Sequence, residues 1–341
     1  MAVARGSLLE TAATPDEWRA HIPAISPDTT VGDVSLETLT KFTREVARLV
    51  ELDMGVSIHK GEIQVVFEDG AALLDRATRE YSECLGANAH DLMGELATKP
   101  EQTKLLGRLV TGMLLPASGS IGINPERIRK VKGAALREFL FHELVHLVQL
   151  QHDTFRRAYL AASKSLFAQS ATSTSGADNL DLVTAKDRCT AFGCFMEGQA
   201  KYLQEHGSAA RNMTGMARML EAFDNEDQEI LKEFLKGLTP EAAGELMAKM
   251  DQYQGDVAVG ELHSQSPELL QAMLRFPALI EVAFRRSGAA VEMPIRTDAT
   301  PDQLAGLEKL IQVYRDSRPY SDRQKPPVPV VLMRGQERRE I

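Results

Sequence analysis

Residues 142–146 read His-Glu-Leu-Val-His, two imidazoles four positions apart with a carboxylate directly after the first. On a helix this spacing puts His142 and His146 on one face, where both can reach one ion. Glu143 lies one step round, close enough to hold a water against that ion. The chemistry suggested is metal-assisted hydrolysis, and zinc is the ion that this ligand pair expects.

A catalytic zinc needs a third protein ligand and one open position. Two residues compete for the role. Glu197 lies in Cys-Phe-Met-Glu-Gly-Gln-Ala-Lys-Tyr, on a helix read over 184–206. Its neighbours on the helical wheel, Gly193, Cys194 and Ala200, are small, which predicts a close approach to the histidine helix. His152 is the alternative, because His142 to His152 mimics the spacing of metzincins, with Met196 in the place of a Met-turn residue. That pattern requires a sharp turn where this chain has Gln149, a residue with a Cβ penalty in the left-handed region. The sequence therefore favours Glu197.

The elements that must position these residues are mainly helical. Leu136, Phe139, Leu140, Phe141, Leu144, Val145, Leu147 and Val148 surround the motif, so its helix, read within 133–168 with a break near His152 and Asp153, is buried. Leu39, Phe42, Val46 and Leu49 form one face of a helix over 35–52, opened by Ser35. Ile63–Phe67 reads as a strand, residues 71–85 and 101–115 as helices, and 118–124 as a short strand whose glycines would let another backbone lie close. Thr239–Pro240, Ser266–Pro267 and Thr300–Pro301 mark helix starts, and Thr300 with Gln303 fits a capping box.

His-Glu-Leu-Val-His followed by Met-Glu-Gly-Gln-Ala-Lys-Tyr resembles the gluzincin branch of zinc metallopeptidases. The resemblance covers roughly residues 115–206. It implies zinc bound by His142, His146 and Glu197, with Glu143 as general base toward a water whose pKa the metal lowers to about 7. It also implies that the strand before the motif, in SGSIGINPERI, is the sheet edge that takes substrate as an added strand. One departure stands out. Thermolysin-like members carry an Asp four residues after the ligand Glu that orients a ligand histidine, and this chain has Lys201 there. For the oxyanion donor the candidates are Tyr202, His206, Tyr253 and His263.

The expected fold is α+β and predominantly helical, with a zincin-like catalytic core of a small sheet, an active-site helix and a Glu-bearing helix, plus additional helices. Its expected organisation is a flexible N-terminal arm at 1–34, a catalytic domain at 35–235, a helical subdomain at 236–316 and an extended tail at 317–341. The expected activity is zinc-dependent hydrolysis of a protein or peptide substrate. The alternatives are a metzincin-like protease using His152, or a non-catalytic zinc-binding scaffold, against which the intact Glu143 argues.

Composition narrows the rest. The chain has 341 residues, 43% hydrophobic and 26% charged, which excludes disorder and fibrous repeats as its main architecture. A net charge of −9 disfavours nucleic acid and anionic membrane as partners. No apolar run is long enough to span a membrane. Three cysteines, Cys84, Cys189 and Cys194, make neither a disulfide framework nor a cysteine zinc site, which fits a reducing compartment. A cytoplasmic location is expected, with export by a signal-peptide-independent route as the alternative.

Overall fold

The Ser35 side chain accepts the backbone N–H of Thr38 at 3.1 Å and so opens the first described helix. That helix, α1 (Leu36–Met54), buries Leu39, Phe42, Val46 and Leu49 as its spacing predicts, and closes on Gly55 at φ 62°. The computed structural model describes residues 25, 30–58, 63–85, 99–172, 180–208, 225–240, 255–318 and 326–341.

In chain order there follow β1 (Gln64–Phe67), α2 (Gly70–Leu85), α3 (Pro100–Leu109), β2 (Gly112–Leu115), β3 (Ser120–Ile123) and α4 (Pro125–Ile128). Next come the histidine helix α5 (Gly133–Gln151), α6 (Asp153–Thr172), the Glu197 helix α7 (Leu180–His206) and α8 (Asn225–Lys236). The remainder is α9 (Gly255–Gln265), α10 (Glu268–Arg275), α11 (Ala278–Phe284), β4 (Val291–Pro294), α12 (Pro301–Asp316), β5 (Val330–Arg334) and β6 (Glu337–Glu340). Among the described residues the fold is mostly helical with two small mixed sheets, in line with an α+β, predominantly helical class. Thr300 and Gln303 form the expected capping box at the start of α12. Among the described residues no helix is long and apolar enough to cross a membrane.

The first sheet has the order β1-β3-β2, with β3 parallel to β1 and antiparallel to β2. Residues 118–124 therefore supply the middle strand, and the edges are β1 and β2. This corrects two expectations at once. The helix read over 101–115 stops at Leu109, because Val110 and Thr111 are β-branched and Gly112 follows, a run poor in helix propensity. The chain then extends into the edge strand. A Cβ on Gly122 would stand 2.1 Å from Leu73 Cδ1, so that glycine admits a side chain of α2 rather than a second backbone.

The second sheet, β4-β5-β6, corrects the reading of 317–341 as an extended tail. Val328, Val330, Val331 and Leu332 are buried, and Gly335 at φ 62° turns the chain from β5 into β6. Pro326 and Pro327 stop a helix there without preventing a strand.

One contiguous core runs from Ile25 to Leu332 and crosses the boundaries expected at 235 and 317. In the segment expected as a flexible arm, Ile25 is buried, and Val31 donates its N–H to the Val131 carbonyl at 2.9 Å. Residues 1–24 and 26–29 of that arm lie outside the described residues.

Candidate metal centre

The histidine helix α5 is buried almost all round. Leu136, Leu140, Phe141, Leu144 and Val145 are sealed, and the helix ends at Gln151 with His152 as its C-cap. The break predicted near His152 is thus real. Helix α7 brings Glu197 against the same face of α5. Behind it Phe192 and Phe195 pack with Phe155 of α6, at ring-centroid distances of 5.8 and 5.7 Å.

His142, His146 and Glu197 come together as a group that could hold a metal ion. The two Nε2 atoms stand 3.0 Å apart, with the rings edge to face. Glu197 Oε2 lies 3.4 Å from His142 Nε2, and Glu197 Oε1 lies 3.5 Å from His146 Nε2. Taking one donor atom from each residue, the three lie within 4.8 Å of one another, near enough to share one ion. His146 is 7% exposed, whereas the Glu197 side chain is 26% exposed. The group therefore has a solvent side, as a site with an open coordination position requires. His152 is not in the group.

Glu143 is held at the sheet edge, where its Oε2 accepts the Leu114 backbone N–H at 2.8 Å. Burial lifts its pKa, while His142, His146 and the Leu114 N–H pull it down and Glu197 adds to the rise; the net shift is upward. Burial alone would lower the His146 pKa, but the Glu197 charge and hydrogen bond, with Glu143 and Gln149, outweigh it and raise it to about 9. Burial would raise Glu197, and the two histidines overcome that and hold its carboxylate well below the usual range.

The partners behind the ligands are amides. His142 Nδ1 meets Gln204 Oε1 at 3.2 Å, and His146 Nδ1 meets Gln149 Oε1 at 2.9 Å. Lys201, at the position where thermolysin-like enzymes carry an orienting Asp, pairs instead with Asp256 at 2.7 Å. Sequence reasoning missed both glutamines. Gln204 lies seven residues past Glu197 and Gln149 three past His146, spacings that share a helical face and were legible in principle.

Of the small residues expected beside Glu197, Cys194 faces α9, together with Gly198. A Cβ on Gly198 would lie 2.4 Å from the Gly255 carbonyl carbon, and one on Gly255 would lie 2.0 Å from the Cys194 oxygen. The tight crossing made by Cys194 and Gly198 is therefore with α9. Of the oxyanion candidates, Tyr202 makes tilted ring contacts with His206 and His263, at 4.8 and 5.2 Å, and its hydroxyl lies 3.4 Å from His263 Nδ1. Tyr253 lies outside the described residues. Two tyrosines not considered from sequence, Tyr81 of α2 and Tyr159 of α6, feel the Glu197 charge. Burial first, and then the surrounding charges, push both phenols up.

Comparison with protein-family models, curated proteins and solved structures returned no match to this chain.

Proposed function

We propose that this chain is a zinc-dependent metallopeptidase of gluzincin type. The observation that carries the reading is the seat of Glu143, beside a three-ligand group and bonded to the N–H of an edge strand. A purely structural metal site has no use for a carboxylate held there. Two imidazoles and one carboxylate form a donor set that suits zinc.

His142, His146 and Glu197 would hold the ion. When bound, zinc supplies Lewis-acid activation of water and of the scissile carbonyl. Glu143 takes a proton from the attacking water and delivers it to the leaving amine. The Leu114 N–H keeps one oxygen of that carboxylate fixed and leaves the other for the proton. Because Leu114 turns its N–H away from β3, the free edge of β2 faces α5. An extended peptide added to β2 would run past Glu143. A cleft of about 380 Å³ lies between the β2–β3 turn and the end of α5, lined by Gln64, Leu114, Ser118, Leu147, Leu150 and Arg156; it shares Leu114 with the Glu143 contact and would receive a substrate side chain.

The test is cleavage of a peptide library by the zinc-loaded chain and by Glu143→Gln. The proposal expects discrete cleavage products from the first. It expects the variant to keep zinc and lose about 10²- to 10⁴-fold in turnover. Equal turnover by both would remove Glu143 from the mechanism.

A further inference from the structure

The Gln149 side chain is fully buried and is used at every polar atom. Its Nε2 donates to the Met196 carbonyl at 3.2 Å and to Gln199 Oε1 at 2.9 Å, and its Oε1 faces His146 Nδ1 at 2.9 Å. A backbone carbonyl only accepts, so Met196 fixes which end of the amide points toward α7. The reversed amide would set two acceptors 3.2 Å apart in a buried site. With the amide fixed, its oxygen faces His146, and Nδ1 must carry the proton. In the neutral ring the His146 Nε2 lone pair is then left for the side that faces His142 and Glu197.

We propose that Gln149 is the positioning residue of the metal centre, setting the tautomer of His146 and the spacing between the two ligand-bearing helices. The inference rests on reading His142, His146 and Glu197 as metal ligands. Met196 immediately precedes Glu197, so one side chain is bonded to a ligand on α5 and to the backbone beside a ligand on α7. Being neutral, Gln149 does this without adding charge. Gln204 faces His142 in the same sense, at a longer 3.2 Å.

The test compares zinc affinity, by competition with a chromophoric chelator, for wild type, Gln149→Met and Gln149→Glu. Methionine keeps the volume and loses all three bonds. Glutamate restores an acceptor for Nδ1–H and loses both donors to α7. The expected result is about 10- to 100-fold weaker binding for Gln149→Met. Part of that loss returns in Gln149→Glu, although both variants melt earlier than wild type. Equal affinity in all three would overturn the inference, as would equal loss in both variants. A wild type that holds no zinc would instead overturn the ligand assignment beneath it. Nitrogen-15 NMR of labelled histidine in the zinc-loaded wild type gives a readout free of any folding defect. A protonated Nδ1 on His146 is expected, and metal bound at Nδ1 would refute the assignment.

Discussion

Leu114 donates its backbone N–H to Glu143 Oε2 across 2.8 Å, linking an edge strand to the helix that carries both histidines. The bond puts a carboxylate with a raised pKa where an incoming extended chain and the three-ligand group would meet. Catalysis by such an arrangement depends on the rest of the ligand geometry, which can be tested piece by piece.

Glu197→Ala should abolish tight metal binding, whereas His152→Ala should leave it within about twofold. The first residue stands 3.4 and 3.5 Å from the two imidazoles, and the second caps α5 outside the group. Equilibrium dialysis with zinc distinguishes them. Full retention by Glu197→Ala, with loss in His152→Ala, would restore the metzincin-like alternative.

The metal-free protein should lose stability as pH rises from about 6.5 to 9. The folded-state pKa of His146 is raised to about 9, above its ordinary value, so its contribution is complete below about 6.5 and disappears through about 9. Glu197 is shifted down, so its share of the same pair is present above its ordinary carboxylate pKa and lost in acid. Melting of chelator-treated protein at pH 5.5, 7 and 9 reads this directly. The increment from added zinc should grow over the same interval, because protons no longer compete for the ligand nitrogen. A flat profile would contradict the pairing.

Gly198→Ala should cost about 1–3 kcal/mol by overpacking the crossing with Gly255. The added methyl would sit 2.4 Å from a backbone carbon, which has no rotamer to yield. Because Gly198 follows Glu197 directly, zinc affinity should fall along with the melting temperature. Denaturant unfolding and zinc titration together check this, and an unchanged value of either would show that α7 relaxes freely.

Much of the site was legible from local spacing. His142, Glu143, His146 and the end of α5 near His152 follow from periodicity and turn chemistry within a single stretch of chain. Glu197 needs a long-range argument from its small neighbours, of which Cys194 packs against α9. What stayed hidden depended on tertiary placement. The edge strand at Gly112–Leu115 continues the apolar rhythm of a helix, and only the β-branched pair Val110–Thr111 and Gly112 betray the change. The strands near the C-terminus show their pattern in Val328, Val330 and Leu332, but prolines just upstream made the segment read as a tail. In the sequence Gln149 speaks only against a sharp turn. Its role shows once Met196 is seen to lie against it.

The central claim is tested most directly by zinc content and peptide turnover measured on one preparation, before chelation, after chelation and after zinc is restored. The account predicts one zinc per chain, turnover lost with the metal and recovered with its return. One zinc per chain with no turnover of any peptide would contradict it and leave a zinc-binding scaffold.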